Sequence, residues 1–350
     1  MPSEIRVDKI STTASPYDPV FSTTGGALSH RNMIINGAMG IWQRGSGQAS
    51  VGNTPIFRAD RWEARAGVTG GTIDAVSDTP TTSDTKFPYA LKFTVGGSAG
   101  SISASTATNY FNYKMEGQDF YHAKWGTAQA KTITLSFWVK SSVTGDYGLT
   151  FGKDLAQTYG TKYTISSANT WEKKTITVTG PSSGTWQNDN NVSLRILWNW
   201  GAGSNYTTST LETWANSDYR GGYDGGSAVQ LVANANATWY ITGVQLELGS
   251  VATPFEHKFY QEELQKCKRY FINHSGSLYA VPQNDNHTSR VLNVHGFEMR
   301  ATPTGTAVSN PTGSGTTFDN LSKYGVTIYQ SGHTTSHNSV ITAYTLSAEL

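Results

Sequence analysis

Lys131-Thr132-Ile133-Thr134-Leu135-Ser136-Phe137-Trp138-Val139-Lys140 is the stretch on which the fold turns. In an extended chain Ile133, Leu135, Phe137 and Val139 fall on one face, and Thr132, Thr134 and Ser136 on the other. That period of two is the pattern of a strand with one buried and one polar face. Upstream, Tyr89, Leu91, Phe93 and Val95 repeat it, with Lys92 and Thr94 pointing outward. Downstream, Val192, Leu194, Ile196 and Trp198 do the same, as do Tyr240, Val244, Leu246 and Leu248. Lys173-Lys174-Thr175-Ile176-Thr177-Val178-Thr179 is shorter, and its lysines suit an edge, where charge discourages unwanted pairing. Turn clusters at Thr144-Gly145-Asp146 and Pro181-Ser182-Ser183-Gly184 separate the runs. A two-sheet antiparallel sandwich over residues 32–253 is the economical reading.

Composition agrees. Aromatic residues make up 12% of the 350 and hydrophobic residues only 37%, a mix that suits half-buried pleated surfaces better than helix bundles. A formal net charge of +1 argues against a nucleic-acid protein, which needs a basic field, and against a polybasic membrane binder. Cys267 is the single cysteine, so there is no intrachain disulfide and no cysteine-based metal site. The first residues show no basic region followed by an apolar core, and no run approaches the length of a membrane span. Folding in a cytoplasm is the expectation.

Residues 1–31 are poor in core residues beyond Ile5, Val7 and Ile10, and read either as a disordered terminus or as a docking arm. After the sandwich the period changes. Thr253-Pro254-Phe255-Glu256 reads as a capping box with proline at the first helical position. Tyr260, Leu264, Cys267 and Phe271 follow as a helical stripe, predicting a helix over 254–271. The stripe could pack on its own sandwich or form a seam around a threefold axis. Residues 272–350 return to β character as a smaller unit.

The ends of the sandwich carry a resemblance. Asn32-Met33-Ile34-Ile35-Asn36-Gly37-Ala38-Met39-Gly40-Ile41-Trp42-Gln43-Arg44-Gly45 opens it, and the stretch from Ile241 through Glu247-Leu248-Gly249-Ser250 to Glu256 closes it. Between them lie Ala59-Asp60-Arg61-Trp62, Glu116-Gly117-Gln118 and Trp125 to Val139; Cys267-Lys268-Arg269-Tyr270-Phe271 follows. In these stretches the chain resembles the phage tail-fibre family whose body is a jelly roll similar to carbohydrate-binding modules. The resemblance implies an all-β antiparallel jelly-roll sandwich with an extended N-terminal arm, one short helix and a small C-terminal β domain. It further implies a homotrimeric virion fibre, assembled in the host cytoplasm. Its arm would dock on a tail or capsid protein, and its body would bind host cell-surface polysaccharide. No cofactor, membrane insertion or nucleic acid enters that picture.

Aromatic side chains that stack on sugar faces are the binding candidates. Trp200, Tyr206, Trp214, Tyr219 and Tyr223 lie in or beside a Gly- and Ser-rich stretch without strand periodicity, and long loops are often functional. The opposing reading is that they plug the end of the sandwich. Tyr279 and Tyr329, with His287, His333 and His337, form a second set in the C-terminal unit. Support for catalysis is thin. Gly96-Gly97-Ser98-Ala99-Gly100 has the spacing of a nucleophile elbow but lacks a following helical pattern. Asp60 with Glu63, and Glu116 with Asp119, are possible carboxylate pairs that read more simply as salt-bridge partners. Asn188-Asp189-Asn190-Asn191 reads as a turn rather than a calcium loop. The expectation is a non-enzymatic adhesin, with a ligand-free structural appendage or a glycan-depolymerising tailspike as the alternatives.

Overall fold

The strand Ile133–Ser141 lies one in from the edge of a six-stranded sheet. The order is Ala49–Val51, Gly71–Val76, Ala90–Val95, Thr238–Leu248, Ile133–Ser141, Glu172–Val178. A seven-stranded sheet faces it, in the order Trp214–Ala215, Gln157–Ile165, Gly145–Lys153, Val192–Asn199, Asn109–Glu116, Trp62–Ala66, Ile56–Phe57. Every pairing within the two sheets is antiparallel, and spatial neighbours are often far apart in sequence, which makes this a jelly-roll sandwich. The computed structural model describes residues 30–68, 70–81, 87–106, 109–153, 156–223, 228–280, 289–309, 315–331 and 339–350. Ile5, Val7 and Ile10 lie outside the described residues, as do His287, His333 and His337.

Alternation becomes layering. Ile133, Leu135, Phe137 and Val139 are all fully buried and meet Leu149, Phe151, Ile196 and Trp198 of the opposite sheet. Trp62 stacks on Phe111 at 5.0 Å and tilts against Tyr113 and Trp198 at 4.7 and 5.8 Å. Burying one such side chain contributes about 1.5–3 kcal/mol, so the aromatic-rich middle of the sandwich dominates its stability. Lys173 and Lys174 do lie on an edge strand.

Two expected core residues are not in the core. Tyr89 precedes its strand and is 40% exposed. Tyr240 is half-buried and points away from the core, while its neighbours Trp239 and Ile241 are fully buried. The reason is a β-bulge between Thr242 and Gln245 in the pairing with Ile133–Ser141. Gly243 sits in it with φ +61°, where a Cβ would come 2.5 Å from the Phe87 ring. An extra residue in one strand reverses which side chains face inward beyond it. Trp239 and Ile241 are therefore inward before the bulge, and Val244 and Leu246 after it.

The helix is Tyr260–Lys268, shorter than the expected 254–271. Thr253 and Glu256 do not cap it; the N-cap is Phe259, without a side-chain bond. The two residues instead serve the preceding strand. Glu247 accepts from the Thr253 N–H at 3.0 Å, and Gln245 Oε1 accepts from the Glu256 N–H at 2.7 Å. The Glu256 carboxylate in turn accepts from the Asn32 N–H at 2.8 Å. The connector is thus stitched across both ends of the sandwich sequence. Glu262 and Lys266 pair along the helix at 2.6 Å.

Residues from Phe271 onward form two three-stranded sheets, Phe271–Ala280 with Ser339–Ser347 and Thr304–Ser309, and Ser289–Val294 with Gly325–Ser331 and Gly315–Asp319. Their separate core holds Met299, Val326, Ile328, Tyr344 and Leu346. Charge joins this unit to the sandwich. Arg44 and Arg61 each donate to Glu349 at 2.9 Å. Arg61 also lies over the Tyr270 ring at 3.4 Å and Arg44 over the Phe271 ring at 3.5 Å. Arg61 holds a left-handed φ of 75°, which costs a non-glycine residue on the order of 1 kcal/mol and persists because its surroundings fix it.

Candidate functional site

The strand Asn109–Glu116 has two faces. Phe111, Tyr113 and Met115 enter the core, while Tyr110, Asn112, Lys114 and Glu116 face away from it. Antiparallel register extends that outer face across the sheet. Glu63, Asn112, Leu197 and Thr150 form one cross-strand row. Lys114, Arg195 and Gly152 form the next, and Arg65, Tyr110 and Asn199 lie on the far side. The result is a polar strip on the outside of the seven-stranded sheet.

Two pieces of chain border the strip. The segment 203–223 crosses the neighbouring strands on one side. Thr150 and Thr158 donate to the Tyr219 and Ser217 carbonyls at 2.8 and 2.7 Å, and Asn199 Nδ2 donates to the Gly221 carbonyl at 2.9 Å. Gly148 allows this close approach, since a Cβ there would come 1.9 Å from the Gly221 carbonyl oxygen. On the other side lies the end of the C-terminal unit, where Lys114 Nζ donates to the Leu350 carbonyl at 2.6 Å. Asn112, Leu197 and Thr150 on the floor are fully buried, while Lys114, Arg195, Arg65, Arg220 and Tyr206 at the margins are half-buried.

The polar groups are unevenly matched. Glu63 pairs with Lys114 at 2.7 Å and accepts from Asn112 Nδ2 at 3.3 Å. Burial holds the Lys114 ammonium below its ordinary pKa, against the pull of Glu63. Arg220 pairs with Asp218 and lies over the Tyr206 ring at 5.1 Å. Asn112 Oδ1 and Arg195 Nε are buried and have no hydrogen-bond partner among the described residues. An unpaired buried polar group costs about 1–3 kcal/mol, so a ligand carrying hydroxyls or charge would recover that free energy.

The predicted aromatics divide. Trp200 is fully buried and stacks on Phe93 at 3.9 Å, so it is core and not a sugar platform. Its backbone N–H extends the sheet to Asn109 O just before the loop begins, which turns its ring inward with Trp198. Trp214 lies in an aromatic box with Trp125, Trp186 and Tyr159 at 5.1, 5.7 and 5.4 Å, and its indole donates to the Thr179 carbonyl. Tyr206 and Tyr219 belong to the segment bordering the strip, and Tyr223 lies under Lys162 at 4.6 Å. Tyr279 and Tyr329 sit on strands, and their side chains lie outside the described residues. Sequence reasoning missed Asn112, Lys114 and Arg195. The alternation Tyr110, Asn112, Lys114, Glu116 against Phe111, Tyr113, Met115 was the available signal.

The helical stripe is also corrected. Cys267 is fully buried because the helix packs on its own chain, and Phe271, which opens the following strand under Arg44, is 6% exposed. Glu263 accepts from the Asn36 N–H at 2.5 Å, and Arg269 pairs with Glu116 at 3.0 Å. Tyr260 is 60% exposed and Leu264 half-buried, so the four residues do not form one outward seam.

Other features qualify less well. A cleft of about 150 Å³ lies between Asn36–Ile41, Pro88 and the connector Phe255–Tyr260. Glu263 Oε1 lines it without a hydrogen bond, though Lys258 Nζ is 3.8 Å away. On the outer face of the six-stranded sheet, Lys140 lies over both Trp171 and Tyr240, at 5.2 and 4.2 Å, and pairs with Asp78. Those ring faces are therefore occupied. Among the carboxylates, Asp60 faces Gln43 and Arg44 whereas Glu63 faces Lys114, so the two share no partner. Both oxygens of Glu116 are engaged by Arg269 and Gln118. Residues 101–106 form no helix, and Asp189 to Asn191 is a turn closed by its own side chains.

No protein-family model matches the chain, and no curated protein matches it. Among solved structures it is similar to the enzymatically active domain of tailspike protein 4 of bacteriophage CBA120, at 12% identity and TM-score 0.31. That match covers 62% of this chain and 21% of the tailspike chain, so this chain corresponds to about a fifth of that protein. A putative sugar-binding protein from Bacteroides thetaiotaomicron matches 63% of this chain and 100% of its own, at 11% identity and TM-score 0.31. A xylan-binding domain from Paenibacillus barcinonensis matches 59% of this chain and 97% of its own, at 13% identity and TM-score 0.27. Each is a partial likeness at low identity.

Proposed function

We propose that this chain is a glycan-binding fibre or adhesin protein of a phage particle, and that the glycan lies on the polar strip of the seven-stranded sheet. The observation that carries the reading is the pair of orphaned buried groups there, Asn112 Oδ1 and Arg195 Nε, on a strip whose bordering segment carries the half-buried ring of Tyr206. A sugar supplies hydroxyls that donate and accept, and an apolar face that stacks on tyrosine. The residues before Asn32 attach the chain to a tail or capsid protein. Several copies then act together, so modest affinity per site becomes strong attachment. A homotrimer would use the exposed connector residues Phe259 and Tyr260, 85% and 60% exposed, since exposed apolar groups mark contact surfaces.

The test mixes the purified chain with surface polysaccharides from candidate host cells, following retention and the release of new reducing ends. Retention without release, weakened by Asn112→Ala and Tyr206→Ala, supports the adhesin. Progressive release would replace it with a depolymerase. Retention unaffected by both substitutions would move the site elsewhere, and no retention on any polysaccharide would favour a structural appendage.

A further inference from the structure

Arg195 has an unusual position for a strand cation. Its cross-strand neighbour on one side is Lys114, a like charge, and on the other Gly152, which has no side chain. Like charges directly opposite each other destabilise a sheet. Lys114 is balanced by Glu63 at 2.7 Å and by the Leu350 carbonyl at 2.6 Å. Arg195 forms no hydrogen bond or ion pair among the described residues, and its Nε is buried. Beyond it, Arg65 donates to the Asn53 carbonyl at 2.8 and 2.6 Å and to Tyr110 Oη at 3.3 Å, with no carboxylate partner among the described residues. Among the described residues the strip thus carries Arg65, Lys114, Arg195 and Arg220 against Glu63 and Asp218, with Glu116 at its end held by Arg269, in a chain whose charged residues are only 15% and whose net charge is +1. The excess is local.

Building on the reading that the strip holds a glycan, we infer that the glycan is acidic, with an anionic sugar substituent seated on the Arg195 guanidinium beside Lys114. A guanidinium presents a planar fork that matches a carboxylate or sulfate through two parallel hydrogen bonds. The anion would also relieve the Lys114–Arg195 repulsion. Asn112 Oδ1, one row further along the sheet, accepts a sugar hydroxyl next to the charged group.

The experiment measures binding of the full chain to polygalacturonate and its methyl ester, and to dextran sulfate and unmodified dextran, at low and physiological salt. In at least one of the two pairs the charged polymer is expected to bind at least tenfold more tightly than its neutral partner, because hydrogen bonds to charged groups contribute more than those to neutral ones. The arm that binds distinguishes carboxylate from sulfate. Arg195→Gln is expected to weaken that binding about tenfold or more. Lys173→Gln, which removes the same charge from the edge strand of the other sheet, is expected to leave it within twofold. Thermal melts confirm that both variants fold. Equal loss in the two variants, or none in Arg195→Gln, overturns the inference, as does failure of both charged polymers to bind. If neutral polymers bind as well as charged ones and Asn112→Ala or Tyr206→Ala weakens both, the charge inference falls while the strip stands. If no strip variant affects any binding, both readings fall.

Discussion

Asp60 gives the sandwich a pH-dependent stability that one substitution should remove. Its carboxyl is fully buried and accepts from the Gln43 N–H and side-chain amide, with Arg44 Nη1 at 3.5 Å. Burial raises its pKa from 3.8 to about 7, against the lowering by Arg44 and Gln43 and with a smaller push from Glu349. Cys267 also lies near it, and burial raises that thiol well above its ordinary value. Between the two Asp60 values the unfolded chain has lost its proton and the folded chain keeps it. Stability therefore falls as pH rises through that window, and the full contribution is present only below the unfolded pKa. Three pH units at about 1.4 kcal/mol each come to roughly 4 kcal/mol in all. Asp60→Asn keeps the volume and an acceptor oxygen but cannot ionise. Urea unfolding of both proteins from about pH 5 to about pH 8 should show wild type losing roughly 2–3 kcal/mol relative to the variant, then levelling off. Parallel pH profiles for the two proteins would refute the reasoning, since every other titrating group is common to both.

Trp200→Ala should destabilise the sandwich by about 3–5 kcal/mol, as removal of a buried indole does, whereas Tyr206→Ala should barely move the denaturation midpoint. Glu349→Ala strips the buried Arg61 of its carboxylate and should cost about 3–5 kcal/mol, read by denaturant titration, with Glu349→Gln milder. Gly243→Ala should cost at least about 1–2 kcal/mol from the left-handed backbone alone, before the clash with Phe87, measured the same way. Cys267, fully buried with its thiol pKa raised by burial, should resist a thiol-reactive dye until the chain unfolds; modification of the native protein within minutes would contradict its burial.

Much of the fold was legible in local alternation. Ile133 to Val139, Leu91 to Val95, and Leu194 to Trp198 each bury the face their spacing predicts, because a strand with one apolar side has one favourable way to lie on a core. Where the reading failed, a longer-range contact had overridden the local signal. The bulge at Gly243 turned Tyr240 outward, and nothing in the alternation around Tyr240 announces an extra residue two positions on. The capping-box letters Thr253 and Glu256 were claimed by Gln245, Glu247 and Asn32. Of the two readings left open for the stripe, Cys267 and Phe271 follow the first and are buried within their own chain.

The candidate site divides along the same line. By itself the sequence determined that this is a β-sandwich with polar outer faces, because period-two patterning is a local property of the chain. Only the tertiary structure decided that Lys114, Arg195 and Gly152, from three strands far apart in sequence, lie side by side. It also decided that Trp200, which reads as a loop aromatic, is core. Register and burial arise from which strands pair across the whole chain, and they determine which polar groups are left without partners for a ligand to meet.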